Sequence, residues 1–332
     1  MKRFFARRKI VCVIEGTKMK RFSTRDISHI SVLAKESINA LTNVSLENGL
    51  VRSRTLVDGT VGCGGHTQKW LEKERTVFPN AKINMHCIDR DASILSKARE
   101  NIIPPSNTNL LFHHGTYANT LKKFKNVDGI LLDLGANSIH FDDASRGFSF
   151  SRDGPLDMRF DQTGDVTAAD VVNTYSEVQL TSIFKQYGEE RYAKEASKAI
   201  VRARRKEPFT STMQLATTLK LVLNHWKANT TTHPATKCFQ ALRIVVNEEL
   251  INVQDGIDAG IAAMSSTSRF AIISFHSLED RIVKRRFKEV VTGLDCYSLF
   301  PTRKAIKPTP GEILVNPRAR SARLRCIQKR AS

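Results

Sequence analysis

From Arg54 onward, short apolar runs alternate with stretches whose apolar residues recur at helical spacing. RTLVDGT reads as a strand and HTQKWLEKERTVF as a helix, and KINMHCIDRD with ASILSKARENI repeats the pair. NLLFHHG is a third strand, a short helix follows near TYANTLKKF, and VDGILLDLG is a fourth strand. These strands are continuous apolar runs, the pattern of strands buried on both faces, so the alternation predicts a parallel sheet covered by helices. The alternation then stops. Residues 141–262 carry helical patterns, and RFAIISFH (269–276) restores a buried strand ahead of the helix SLEDRIVKRRFKEVV. The expected organisation is one α/β domain, residues 29–140 and 263–332, with a helical insertion, residues 141–262, after strand four. Residues 295–317, with Pro301, Pro308, Pro310 and Pro317, are expected to be extended loop.

With 332 residues, 41% of them hydrophobic, the chain has core material for one large domain or two modest ones. No stretch reaches the roughly 18 apolar residues of a membrane span, and no membrane role is expected. Cys12, Cys63, Cys87, Cys238, Cys296 and Cys326 form no CxxC pair. That spacing argues against a disulfide framework or a zinc site and predicts reduced thiols.

Charge changes the picture more. The net charge of +19 sits at the two ends: residues 1–25 hold nine Lys/Arg against Glu15, residues 281–332 hold fourteen against three acids, and the body between them balances. The leader MKRFFARRKIVCVIEGTKMKRFSTR is basic, almost free of acids and interrupted by apolar residues. It predicts a transit peptide and a mitochondrial matrix protein, with a basic arm that touches nucleic acid as the alternative. The C-terminal charge, in VKRRFK and NPRARSARLR, is mixed with structure-forming residues and predicts a folded positive surface for a polyanion. Arg202, Arg204, Arg205 and Lys206 either extend that surface or form a solvated helix end.

LVDGTVGCGGHT (56–67) places Gly59, Gly62, Gly64 and Gly65 directly after the first strand. Bare backbone there lets main chain approach a ligand at a helix N-terminus. The spacing GxxGxGG fits neither the dinucleotide fingerprint nor a phosphate-binding P-loop. Asp58 before the glycines, Asp89 at the end of strand two and Asp133 at the end of strand four fit S-adenosylmethionine instead. A carboxylate at Asp89 can accept both ribose hydroxyls, and Asp133 closes a strand at the switch point where α/β sheets bind ligands. Alone, Asp89 reads equally as a helix cap and Asp133 as a turn cap. Together, at the ends of strands one, two and four, the acids predict a methyltransferase fold.

DGTVGCGGHT, CIDRDASIL, GILLDLGANS, RGFSFSRDGPLDMRFD, YGEERYAK, HPATKCFQALRIVVNEEL, ISFHSLEDRIVKRRF and NPRARSARLR occur in that order. The chain thereby resembles the MraW/RsmH family, the small-subunit ribosomal RNA cytosine-N4 methyltransferases of bacteria and their mitochondrial relatives. The resemblance runs from about His29 to near residue 327 and, with the basic leader, is nearest to the mitochondrial branch. It implies a class I, Rossmann-like S-adenosylmethionine-dependent methyltransferase whose helical insertion recognises RNA. The implied partner is small-subunit rRNA or an assembling small subunit; DNA is not expected. Carried over position by position, the implied cofactor residues are Gly64, Gly65, His66, Asp89, Tyr117, Asp133 and His140. Tyr117 stands where the family usually has Phe. The family's SSxQLD reads NSIHFD here, so Asn137 replaces a serine and His140 a glutamine.

Cytosine N4 is a weak nucleophile because its lone pair is delocalised into the ring. Methylation needs the amine held in line with the sulfonium methyl, about 3–3.5 Å away, and an acceptor that localises the lone pair and takes the proton. No metal is required. Asp133, Asn137 and Ser138, at and just past the end of strand four, are the catalytic candidates. In RGFSFSRDGPLDMRFD (146–161), Phe148 is a candidate for stacking on an extruded base, and Arg152, Asp157 and Arg159 for recognising it. His276 in SFHSLED is a further candidate for touching RNA. Phe148 and Phe150 read equally as anchors of the insertion, and His276 as a helix cap. His113, His114, His225 and His233 have no ligand-like partners in the sequence and read as structural. The departures at Asn137 and His140 keep a second reading open, a ribosome-assembly factor that binds rRNA with weak or no turnover.

Overall fold

The structure, a computed structural model, describes residues 31–42, 53–227 and 232–331, and side chains within 225–227 are not described. The basic leader, the start of the family-like segment at His29 and the side chain of His225 lie outside the described residues. Seven strands form one sheet: β1 (Ser53–Asp58), β2 (Lys82–Asp89), β3 (Thr108–His114), β4 (Val127–Asp133), β5 (Met264–Ser274), β6 (Tyr297–Phe300) and β7 (Arg323–Lys329). Their order is β3-β2-β1-β4-β5-β7-β6. The first five are mutually parallel, and β7 runs antiparallel to both of its neighbours. This is the class I methyltransferase sheet that the alternation and the resemblance predicted.

Alternate residues of the central strands enter two different cores, which is why their runs are apolar throughout. Leu131, Ala271 and Ile273 face one layer, where α1 (Ala34–Leu41), α2 (Gly65–Val77) and α3 (Ala92–Asn101) contribute Ile38, Trp70 and Leu95. Ile130, Leu132, Phe270 and Ile272 face the other, against α4 (Tyr117–Leu121) and elements that follow the insertion. Arg54 and Glu74, 1% and 0% exposed, pair at 2.7 Å and tie the start of β1 to α2. Removing one partner of such a pair leaves an uncompensated buried charge, at a cost of about 3–5 kcal/mol.

After α5 (Ser138–Asp142) the chain builds a separate core from α6 (Ala168–Thr174), α7 (Glu177–Gln186), α8 (Ala193–Arg204), α9 (Thr212–Lys227) and α10 (Thr236–Val246). Val171, Phe184, Ile200, Leu219 and Leu242 are fully buried there. The next helix, α11 (Glu249–Ala263), also falls within the interval 141–262 but packs elsewhere: Val253, Ile257 and Ala263 join the core beneath β4 and β5. A Cβ on Gly256 would stand 2.4 Å from Cε2 of Tyr117, and one on Gly260 2.4 Å from Cε1 of Phe270. Only glycine lets α11 lie against both rings. Residues 141–262 thus contain a helical core of their own and one helix of the α/β domain.

The chain ends with α12 (Ser277–Gly293), β6, α13 (Pro310–Val315) and β7. The loop expected over 295–317 is therefore interrupted twice. Tyr297–Phe300 pairs with β7, and Thr309 caps α13, whose first turn accepts Pro310 because the missing N–H there has no partner to lose. β7 was not predicted because Arg323 and Arg325 alternate with buried Leu324 and Cys326, which leaves no continuous apolar run.

Candidate cofactor and substrate site

A cavity of about 630 Å³ opens over the C-terminal ends of β1, β2 and β4, where the strand order reverses, and the insertion forms its opposite wall. The glycine loop is stitched across the strand ends. Gly59 N–H donates to Leu131 O at 2.8 Å, Val61 N–H to Ile88 O at 2.9 Å, and Asp133 N–H to Thr60 Oγ1 at 2.6 Å. Gly62 and Gly64 have φ of 54° and 90°, and a Cβ on Gly64 would meet Ile102 at 2.5 Å. Gly64 caps α2 and Gly65 begins it, so the helix N-terminus stands at the cavity wall. Asp58 does not line the cavity. It is 1% exposed and accepts from Thr67 Oγ1 at 2.7 Å and Thr60 N–H at 3.2 Å, so its work is to hold the loop closed.

Asp89 does line it. Its Oδ2 accepts from Gly62 N–H at 3.0 Å and its Oδ1 from Asp91 N–H at 2.9 Å, leaving lone pairs on both oxygens for a diol. The cap of α3 is Asp91, not Asp89. Burial pushes the Asp89 carboxyl up to about 6 against the pull of those two N–H groups. Asp133 stands across the loop with Oδ2 3.6 Å from His66 Nδ1, while His66 Nε2 donates to Val32 O at 2.9 Å. Asp133 Oδ1 is buried without a hydrogen-bond partner. Burial, then Asp58 and Glu279, hold this carboxyl well above its usual range. Tyr117 lines the same wall, its ring against α11, and burial with Glu279 and Glu249 raises its hydroxyl well above the ordinary value. Gly65, His66, Asp89, Tyr117 and Asp133 are thus brought to one wall, with Gly64 just behind it.

Past strand four the catalytic candidates separate. Asn137 caps α5: its Oδ1 accepts from Ile139 N–H at 3.0 Å, and its own N–H donates to Nδ1 of His140 at 3.1 Å. His140 Nε2 donates to Asp91 Oδ2 at 3.0 Å, so both ring nitrogens are spent and the ring, 4.9 Å from that of Phe148, offers the cavity no polar atom. The NSIH departure thus makes a capping box. Ser138 is half-buried and lines the cavity. Burial alone would raise Asp91, but hydrogen bonds from His140, Ser93 and Arg146 outweigh it and hold the carboxyl far below its usual range. Arg146 reaches Asp91 at 2.6 Å and donates onward to the carbonyls of Arg159 and Phe160, locking the insertion to the start of α3.

The segment 146–161 is mostly such a lock. Asp157 and Arg159, expected to recognise RNA, pair with each other through two bonds of 2.8 and 2.6 Å, and Arg159 also donates to Gly164 O. The planar fork is filled, so they shape the loop. Phe148 is 5% exposed and stacks between His140 and Phe160, the anchoring role, although its edge reaches the cavity. Arg152 is exposed, donates to Asp142 O at 3.2 Å and does not line the cavity. His276 caps α12, Nδ1 accepting from Glu279 N–H at 3.4 Å, and remains on the cavity wall.

Residues that were not among the site candidates complete the far wall, including Phe150, expected as an anchor, and His233, expected as structural. Phe150, Phe239 and His233 cluster with ring centroids 4.5 and 4.9 Å apart, and the two phenylalanines line the cavity. Arg243 holds both oxygens of Glu249 at 2.8 Å. Asn247, 1% exposed, accepts from Phe160 N–H and donates to Met158 O, while its carbonyl accepts from Arg90. All of these but Phe150 sit in HPATKCFQALRIVVNEEL, which resembled the family, but nothing in their spacing marks them as facing a cavity. Glu249, His276 and Glu279 bring three ligand-type atoms within 4.8 Å of one another. Arg243 already supplies the cation there, and the N–H groups of Phe275 and His276 hold Oε2 of Glu279.

Residues 26–330 match the family model described as the MraW methylase family. The chain belongs to that family. Ribosomal RNA small subunit methyltransferase H of Syntrophotalea carbinolica is 40% identical over 325 residues, covering 92% of this chain and 99% of its own. Proteins of the same name from Trichlorobacter lovleyi and Deinococcus deserti are also 40% identical, covering 92% of this chain and 99% and 95% of their own. Among solved structures, an rRNA methylase from Streptococcus thermophilus aligns over 90% of this chain and 93% of its own, with a TM-score of 0.37 and 9% identity.

Proposed function

We propose that this chain transfers a methyl group from S-adenosylmethionine to the N4 amine of a cytidine in small-subunit ribosomal RNA, and that it does so in mitochondria. The observation that carries the reading is the pairing of two walls: an unpartnered Asp133 oxygen, open lone pairs on Asp89 and bare glycine backbone on one side, aromatic rings on the other. The fit to the cofactor rests on three features. Asp89 has lone pairs for a ribose diol, a Cβ on Gly62 or Gly64 would stand 2.9 or 2.5 Å from a neighbouring side chain, and the acidic wall favours a cation. When bound there, S-adenosylmethionine supplies a methyl group on a positively charged leaving sulfur.

The chain's residues do the rest. Asp133 Oδ1 is the acceptor for the amine: it draws the lone pair out of the ring as the new N–C bond forms and receives the N4 proton. The positive charge of a bound sulfonium favours the carboxylate form that this role needs. Phe150 and Phe239 flank the base, and the insertion excludes water. The relatives' name supports the rRNA assignment. The mitochondrial assignment rests on the basic leader, and residues 1–25 fused to a fluorescent protein are expected to carry it into mitochondria.

The deciding experiment uses labelled S-adenosylmethionine and small ribosomal subunits from mitochondria lacking this protein, with Asp133→Ala beside the wild type. Label in N4-methylcytidine that disappears in the variant is expected. Cofactor and subunit binding without label would replace the enzyme by an assembly factor.

A further inference from the structure

A second cavity, about 560 Å³, lies at the sheet edge between α12, β6 and β7. Its floor is apolar, with Leu299 and Phe300 of β6, Leu324 of β7 and Ile306 of the following loop. Arg269 covers one face of Phe300, its guanidinium carbon 3.8 Å from the ring centroid. The rim is cationic. Lys284 and Lys288, one helical turn apart on α12, form one side, and Arg303, Lys304 and Arg330 close the others. All five are exposed. No carboxylate lines the cavity, and among the described residues none of the five is paired with an acid. Neighbouring cations are paired: Arg285 and Arg286 with Glu289, and Arg325 with Asp280.

Five unpaired cations around a concave apolar floor repel one another and leave apolar surface in water. A phosphodiester bearing a planar base complements both features. A lone phosphate has no use for the floor, and a membrane surface is met by a protruding apolar face rather than a recess. The position suits a strand that leaves the first cavity. His276, on that cavity's wall, caps α12, and Lys284 lies eight residues, about 12 Å, further along the chain of that helix. Arg281 and Arg323, 66% and 47% exposed, stand beside the start of the same helix.

We propose that this cavity is a second RNA subsite, which seats the base of a nucleotide flanking the target on the apolar floor and its phosphates on Lys284, Lys288 and Arg303 of the rim. The inference rests on the rRNA reading above. It makes substrate affinity depend on a region that touches neither cofactor nor target base.

Two measurements test it on the full chain. The first compares K284E/K288E/R303E with K122E/K123E/K125E, an equal charge change on exposed lysines before the far end of β4. The rim variant is expected to raise KM for unmethylated small subunits about tenfold and to flatten the salt dependence of their binding, leaving kcat and S-adenosylmethionine affinity unchanged. The control is expected to move KM by less than about twofold. Equal effects from both variants, or none from the rim variant, overturn the subsite. The second uses wild-type protein and unmethylated subunits from cells fed 4-thiouridine, irradiated and mapped. Adducts within residues 298–306 are expected, and adducts elsewhere alone overturn the subsite while the rRNA reading stands. A wild-type protein that methylates no subunit overturns that reading and the subsite with it.

Discussion

On the sheet side of the central cavity, Asp89 keeps lone pairs open and Asp133 keeps an oxygen with no partner, whereas on the insertion side the charged groups close on one another. Asp157 holds Arg159, Glu249 holds Arg243, and Asp91 at the junction holds Arg146. Both sides are polar in sequence, and the difference lies in what remains unsatisfied. A buried carboxylate that no protein donor fills is destabilising until a ligand arrives, so the sheet side is built to be completed. The insertion side is complete without a ligand, and what it offers is shape and aromatic surface.

The sharpest way to break this contrast is Asp133→Asn. It keeps the shape and replaces the basic carboxylate by an amide that cannot take the N4 proton, and kcat is expected to fall about a thousandfold, with S-adenosylmethionine still bound in calorimetry. A variant that retains turnover moves the acceptor elsewhere. Phe148→Ala probes the other side: it empties a stacked position in the lock and should lower unfolding stability in urea by about 3 kcal/mol. Its S-adenosylmethionine affinity should stay within about threefold if the two sides are separate units; a parallel loss would make them one.

Asp89→Asn should weaken S-adenosylmethionine binding by about tenfold to a hundredfold, the worth of charge-assisted bonds to a diol. The smallest effect expected is with pH. Because burial raises the Asp89 carboxyl to about 6, protonation competes with the ligand below that value and not above it. Affinity should be flat from pH 7 to 8.5 and fall about tenfold by pH 5, a loss that Asp89→Asn should not show. A flat profile in the wild type would mean that Asp89 does not bind as an anion.

Parts of both sides are legible in the sequence. β1 to β5 announce themselves as continuous apolar runs, and the acids ending β2 and β4 follow from where those runs stop. β6 and β7 do not, because a four-residue edge strand and an Arg-alternating strand beside it carry little periodic signal. Gly256 and Gly260 give no sign in sequence that α11 leaves the helical insertion for the sheet, since the choice depends on the rings of Tyr117 and Phe270.

What the sequence by itself determined is the order of elements and the residue types at the strand ends, because these rest on local periodicity and on the backbone freedom of glycine. Which polar groups are free was decided only in three dimensions. Asp157 and Asp133 look alike in one dimension, each an acid beside apolar residues. Arg159 folds back onto the first, while burial near Asp58 and Glu279 keeps the second short of donors. Whether a carboxylate is a lock or a site depends on its partners, and sequence spacing does not name them: Arg159 lies two residues from Asp157, whereas Arg146 lies 55 from Asp91.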